Sequence, residues 1–304
     1  MKTNYLISIV GPTAIGKTSL SIMLAKHYNT EIISADSRQF FEEMQIGTAA
    51  PTQEELCQVK HHFIHHKSIK DSYSVGAFEK NAIECLNELF KKHNIVIMVG
   101  GSGLYVDAIT KGLDHFPSVD PKIRKRLNIE LKSSGIESLQ KQLKELDIKA
   151  YNSIAIDNPH RIIRALEICI GTEKPYSSFL NKEKTPRNFK TISVGLLADR
   201  NIIYERINKR VDIMMNSGLL DEVKSLENYQ HLNALNTVGY KELFKYLNGE
   251  WDLEFAVSEI KKNTRRFAKR QLTWFKKNEE TLWFDYQSNI DYIISQIQNQ
   301  IDVL

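Results

Sequence analysis

A nearly unbroken apolar run, "YLISIV" at positions 5–10, leads directly into a glycine. A run this short predicts a strand buried on both faces. In "TSLSIMLAKHY" (18–28) the apolar residues Leu20, Met23 and Leu24, with His27 on the same side, fall at helical spacing. "TEIISADS" (30–37) reads as a short strand ending at Asp36, "SVGAFEKNAIECLNELFKKH" (74–93) as an amphipathic helix, and "NIVIMVGGSG" (94–103) as a strong strand followed by a second glycine turn. Another apolar strand is expected at "TISVGLLADR" (191–200). Strands alternating with helices predict an α/β fold with a mostly parallel sheet covered by helices on both faces.

Around residue 114 the pattern changes. Two prolines open "DHFPSVDPKIRKRLNIELKSSG", helical spacing continues to about residue 170, and "GTEKPYSSFLNKEKTPRNFK" is a polar, proline-bearing return segment. The expected organisation is therefore an α/β core of residues 1–113 and 189–304 around a helical insertion of residues 114–188. After residue 201 the core reads as largely helical, with breaks near Gly218, Gly239 and Gly249. No internal repeat or low-complexity tract is present.

With 304 residues, 42% hydrophobic and 26% charged, the chain has the makeup of a globular protein with a sizeable core, and disorder is excluded on composition. A net charge of +4 says little, but its distribution says more: "KKNTRRFAKRQLTWFKK" (261–277) carries eight Lys or Arg and no acid. Cys57, Cys85 and Cys169 are scattered and form no C-x-x-C pair, so a reducing, cytoplasmic compartment is expected. The N-terminus reads as a strand rather than a signal peptide, and no apolar run approaches the length of a membrane span.

"GPTAIGKT" (Gly11, Pro12, Thr13, Ala14, Ile15, Gly16, Lys17 and Thr18) matches the phosphate-loop pattern between a strand and a helix. Its glycines let consecutive N–H groups converge on one anion, and the following helix adds its positive end. Lys17 supplies a point charge, and Thr18 a hydroxyl for phosphate or Mg²⁺. By motif alone this is an ATP or GTP site. An ATPase also needs an acid at a strand end to hold Mg²⁺, yet "NIVIMVGG" ends in glycines. Asp36 is the other candidate, as a Mg²⁺ ligand, a general base or a turn cap. Ser102, in the second glycine turn, sits at the strand edge where open α/β sheets bind ligands. "HHFIHH" (61–66) pairs histidines at i,i+4 but reads as structural or substrate-adjacent rather than as a zinc site.

The loop "GPTAIGKT", "DSRQFFEEMQIGTAAPT", "GGSGLY", "NPHRIIRALEI", "VGYKE" and "AKRQLTWF" occur in this order across nearly the whole chain. Together they closely resemble the bacterial tRNA dimethylallyltransferase (tRNA isopentenyltransferase) family, whose fold is P-loop NTPase-like. The resemblance implies transfer of a dimethylallyl group from dimethylallyl diphosphate to N6 of the adenosine 3′-adjacent to the anticodon. It implies that the phosphate loop holds the donor's diphosphate with Mg²⁺, that the partner is a tRNA anticodon stem-loop, and that the enzyme is a monomer. Asp36 is then the general base. Ser102 and Arg210, with Arg206 the weaker candidate, serve the diphosphate.

The same resemblance implies tRNA contacts at Asp36, Ser37, Arg38, Gln39 and Ser102, at Arg124, and at His160, Arg161, Ile162, Ile163 and Arg164. It adds Asn236, Thr237, Val238, Gly239, Tyr240 and Lys241, and Lys269, Arg270, Gln271, Leu272, Thr273, Trp274, Phe275 and Lys276. The last stretch has independent support, because basic residues interleaved with Phe267, Trp274 and Phe275 suit phosphates and splayed bases. The same aromatics equally suit a core. Ser102 stands where the family has Thr, Ala50 where Lys is usual, and Phe41 where Tyr is common. No zinc finger of the eukaryotic type follows residue 285. Two alternatives stay open on the residues: a phosphate-loop small-metabolite or nucleoside kinase, and a non-enzymatic RNA-binding module.

Overall fold

The computed structural model describes residues 3–181 and 185–303, so residues 182–184 of the polar return segment lie outside the described residues. It divides into two compact units, residues 1–111 with 187–304, and residues 112–186. The larger unit opens with β1 (Tyr5–Val10), α1 (Lys17–His27), β2 (Ile32–Ser34), α2 (Gln53–Gln58), β3 (His61–His62), α3 (Val75–Leu89), β4 (Ile95–Val99) and α4 (Gly103–Thr110). The smaller unit follows with α5 (Pro121–Leu146), α6 (Ile148–Ser153) and α7 (Pro159–Thr172). The chain then completes the larger unit with β5 (Lys190–Leu197), α8 (Arg200–Asn216), α9 (Leu219–Ser225), α10 (Tyr240–Leu247), α11 (Leu253–Phe275), β6 (Leu282–Asp285) and α12 (Ile290–Val303).

The six strands form one all-parallel sheet in the order β3-β2-β4-β1-β5-β6. β1 lies near its middle, with Tyr5–Ile9 beside Ile95–Val99 on one side and Tyr5–Val10 beside Lys190–Gly195 on the other. Its residues alternate between two cores, which explains the unbroken apolar run. Leu6 and Val10 join Phe78, Ala82 and Leu86 of α3 and Val106 and Ile109 of α4. Tyr5, Ile7 and Ile9 join Leu20 and Leu24 of α1, Ile203 and Ile207 of α8, and Ile293 and Ile297 of α12. Each such aliphatic side chain contributes roughly 1.5–3 kcal/mol when fully buried. A third cluster packs α8 to α11 on Phe41 and Met44 of the segment after β2.

β6 is absent from the sequence reading, which took the chain after residue 201 as largely helical. It is four residues long and lies at the sheet edge, where Val194–Leu197 of β5 supply its pairing. So short a strand carries no periodicity of its own. α2 and β3 escape for the same reason.

The smaller unit builds its own core from Leu127, Leu139 and Leu143 of α5, Ala150 of α6, and Ile162, Ile163, Leu166 and Cys169 of α7. Two of its helices start on the same local signal. Asp120 accepts from Lys122 N–H ahead of Pro121, and Asn158 accepts from His160 and Arg161 N–H ahead of Pro159. A short polar side chain caps the free N–H groups, and proline tolerates the first helical position because its missing N–H is not needed there.

α11 is tied to the sheet edge by one side chain. Gln271 is buried, its Oε1 accepts from Thr13 N–H at 2.8 Å, and its Nε2 donates to Gly101 O at 2.9 Å. A Cβ at position 101 would lie 2.3 Å from that Nε2, so the contact requires glycine there. Gln271→Leu keeps the bulk but leaves the Thr13 N–H and the Gly101 carbonyl without partners. The expected outcome is a loss of about 1–3 kcal/mol in unfolding free energy. Urea denaturation checks it, with no change meaning that water replaces the amide.

Candidate active site

Three chain segments leave the carboxyl edge of the sheet side by side: the phosphate loop after β1, Asp36 after β2, and the glycine turn after β4. Gly16 caps α1 in the left-handed region at φ 112°, where an L side chain is strained. Residues 13–18 line a cleft of about 890 Å³. Lys17 Nζ folds back onto the loop, donating to Gly11 O at 3.0 Å and Pro12 O at 2.8 Å. Burial lowers its pKa to about 8, with Asp36 opposing the shift and Arg210 adding to it.

α8 supplies the rest of the positive charge. Arg206, Lys209 and Arg210 project into the same cleft from neighbouring turns. Arg206 Nε donates to Ala14 O at 2.7 Å and its guanidinium lies over the Tyr286 ring at 5.1 Å, so it also braces the loop. Lys209 was missed by sequence reasoning, although its i+3 spacing from Arg206 was the available signal. Ile46, Leu56, Ile64 and Ile213 form an apolar wall.

A second cavity of about 360 Å³ shares Thr13, Asp36, Thr48, Ala49, Arg210 and Met214 with the first. Asp36 therefore faces both. Its Oδ1 accepts from Arg38 N–H at 3.1 Å, yet burial outweighs this bond and the nearby cations and raises its pKa above the usual carboxylate range. Ser37, Arg38, Ser102, Asn236, Thr237, Val238, Gly239, Lys241, Phe267 and Arg270 also line the second cavity. Ser102 lies on this side and not in the cleft that holds Lys17, and its Oγ accepts from Ser37 N–H at 3.0 Å. Arg38 is committed to the carbonyls of Asn233 and Ala234 at 3.0 and 2.9 Å, and Gln39 to those of Thr48 and Ala49 at 3.3 and 3.1 Å.

Several of the residues expected at the RNA are buried or half-buried. Ile162 and Ile163 belong to the core of the smaller unit, and Tyr240 and Phe275 to those of the larger. Gln271 is the internal tie between the two glycine turns. Leu272 packs on the α1 side of the sheet. Trp274 packs under α4 and donates Nε1–H to Asp107 Oδ2 at 2.9 Å. Lys269, Arg270, Thr273 and Lys276 are exposed. Of the three interleaved aromatics, Phe267 alone is open, at 37% exposure, and lines the second cavity.

In the smaller unit His160 and Arg161 are exposed. Arg124 and Arg164 both pair with the buried carboxylate of Glu167, Arg124 by two bonds of 2.5 and 2.9 Å. Arg164 also covers the Phe116 ring at 4.9 Å.

The histidine-rich segment is not helical, so its i,i+4 spacing gathers nothing. His61 Nδ1 donates to Val59 O at 2.8 Å, and His62 Nε2 meets Glu31 at 2.6 Å. His66 sits among Phe40, Phe63 and Tyr73, where burial pushes its pKa down to about 4. Among the described residues no group of three His, Cys, Asp or Glu could hold a metal. A cation in the cleft would instead rely on the Thr18 hydroxyl, with a substrate's phosphates supplying most of the oxygens that suit Mg²⁺. No helix among the described residues is long and apolar enough to cross a membrane.

The model of a family described as IPP transferase matches residues 39–278. That span begins after the phosphate loop and Asp36, but end-to-end relatives cover both. A tRNA dimethylallyltransferase of Christiangramia forsetii is 62% identical over 99% of each chain, and one of Flavobacterium psychrophilum is 58% identical over 98% of this chain and 99% of its own. The crystal structure of the tRNA isopentenylpyrophosphate transferase of Bacillus halodurans is similar with a TM-score of 0.72 and 39% identity, covering 98% of this chain and 96% of that one. A eukaryotic dimethylallyltransferase, described as acting on tRNA, gives a TM-score of 0.79 at 26% identity, covering 93% of this chain and 74% of that one. Matched along most of its length by the family model, and nearly end to end by relatives of this identity, the chain belongs to the IPP transferase family.

Proposed function

We propose that the protein transfers a dimethylallyl group from dimethylallyl diphosphate to N6 of the adenosine 3′-adjacent to the anticodon of tRNA. The observation that carries this reading is that a cationic cleft and a second cavity converge on Asp36 and Arg210. A diphosphate donor suits the first: phosphate-loop N–H groups, Lys17, Arg206, Lys209 and Arg210 stabilise the charge that develops on the leaving oxygens. Mg²⁺, held by the Thr18 hydroxyl and the diphosphate, would add neutralising charge to the leaving group when bound. The apolar wall suits a five-carbon tail. β4 ends at Val99 and is followed by Gly100 and Gly101, so a strand-end acid for γ-phosphoryl transfer is missing there.

The target adenine suits the second cavity, which it reaches by leaving its stack. As the C1–O bond breaks, its electron pair goes to the diphosphate, and the N6 nitrogen attacks C1. An exocyclic amine is a weak nucleophile because its lone pair is delocalised into the ring. Asp36 accepts the N6 proton as the C–N bond forms. Phe267 offers a face for a base, while Arg270 and Lys241 offer charge to phosphates. In the smaller unit, Arg124, His160, Arg161 and Arg164 supply further cationic and polar contacts to RNA. The basic face of Lys269 and Lys276 extends the same attraction, and the protein is expected to act as a cytoplasmic monomer.

The direct test is an incubation of the protein with an unmodified anticodon stem-loop, dimethylallyl diphosphate and Mg²⁺ without ATP, read by RNA mass. A gain of one dimethylallyl group is expected; no gain with ATP-dependent phosphorylation instead would install the kinase reading. Asp36→Ala is expected to cut turnover by about 10²- to 10⁴-fold while leaving RNA affinity intact in a filter-binding titration. Near-normal turnover would remove Asp36 as the base. The pH profile of kcat/KM for the donor should be bell-shaped, since this ratio reports the free enzyme. Activity rises as Asp36 ionises, above the ordinary carboxylate range, and falls near pH 8 as Lys17 loses its proton. Lys17→Arg should remove the alkaline limb, because a guanidinium stays charged beyond pH of about 12.

A further inference from the structure

The segment at residues 45–49 lines both cavities, and Thr48 and Ala49 belong to the wall that they share. It has no regular structure, and Ala49 sits in the left-handed region at φ 47°. Its turn is closed by Ala49 N–H on Ile46 O at 3.0 Å and Ala50 N–H on Gln45 O at 3.2 Å, and it is also held from outside. That hold comes from Glu222 on α9, which lines neither cavity. Glu222 Oε2 accepts from Gln45 N–H at 2.9 Å and Ile46 N–H at 2.8 Å, and Oε1 accepts from Gly47 N–H at 2.9 Å. Oε1 also accepts from the buried Tyr240 hydroxyl at 2.6 Å. From the other side Gln39 Nε2 holds the carbonyls of Thr48 and Ala49.

We infer that Glu222 is a positioning residue for the transfer site, acting through residues 45–49 to set the wall common to the donor and acceptor cavities. This rests on the function proposed above. Three consecutive backbone N–H groups turned to one carboxylate are charge-assisted bonds, stronger than neutral ones. A glutamine in their place accepts through one oxygen only and turns two N–H donors toward N–H groups that are themselves donors. Tyr240 seals the arrangement: its ring lies where a Cβ at position 47 would stand, 2.5 Å away, so the segment fits between Tyr240 and the site only with glycine there. Displacing this wall alters how donor carbon and acceptor nitrogen face one another, while the basic surfaces that attract RNA stay in place.

The test uses the full-length protein and three variants, Glu222→Gln, Tyr240→Phe and Gly47→Ala. A misplacement on the order of 1 Å at a reacting centre costs up to about 10²-fold, so Glu222→Gln is expected to lose about 10- to 100-fold in kcat. RNA affinity measured without donor should stay unchanged. Gly47→Ala should follow the same split without touching the carboxylate, and Tyr240→Phe should show a smaller loss. Hydrogen exchange of residues 45–47, which needs no turnover, should accelerate in Glu222→Gln while the sheet stays protected. A normal kcat in folded Glu222→Gln beside an active wild type, or a kcat loss matched by an equal loss of RNA affinity, overturns this inference alone. If Glu222→Gln does not fold, normal kcat in both Tyr240→Phe and Gly47→Ala overturns it. An inactive wild type overturns the functional reading beneath it, and unchanged exchange at residues 45–47 overturns the tie whatever the activity.

Discussion

One buried amide bridges the two glycine turns that the β1–β4 pairing sets side by side. Gln271 reaches between Thr13 and Gly101, accepting from one backbone and donating to the other. An amide can do both at once, and the absence of a Cβ at position 101 leaves room for it against that turn. α11 is thereby anchored to the sheet edge, and its neighbouring turns carry Phe267 and Arg270 into the second cavity. The β1–β4 pairing sets the two turns side by side, and the Gln271 contact adds α11 to them.

Within this frame the charges oppose one another by design of position. Lys17 and Asp36 each lose part of their preference for the charged form through burial, and each partly restores it in the other. Arg206, Lys209 and Arg210 keep the cleft positive overall against Asp36 and Glu55. The result is a cationic cleft next to a carboxylate that holds its proton more readily than a solvated one. Such a group suits a base that must accept a proton during bond formation and release it afterwards.

The smaller unit solves its own packing problem. Its helices are capped by Asp120 and Asn158, and its leucine and isoleucine cluster is closed without help from the sheet. Glu167 gathers Arg124 and Arg164 at one buried point, which restrains two long side chains and leaves Arg161 and His160 free at the surface. The family resemblance singled out the arginines but not the glutamate that organises them.

Local sequence was enough for the strand–helix alternation of the α/β core and its parallel sheet. These rest on contiguous patterns: an apolar run buried on both faces, and apolar residues at helical spacing. β6 was hidden because four residues carry no period. The roles within "VGYKE" and "AKRQLTWF" were hidden for a different reason. Whether Tyr240, Gln271, Trp274 or Phe275 meets RNA or the core depends on which way each helix turns, and that is set by residues far away in the chain. Glu222 was equally silent in sequence, an acid on an ordinary helix until folding places three backbone N–H groups and a tyrosine against it. Motifs written in neighbouring residues declare their chemistry, whereas contacts such as that of Gln271 with Thr13, 258 positions apart, exist only once the chain has packed.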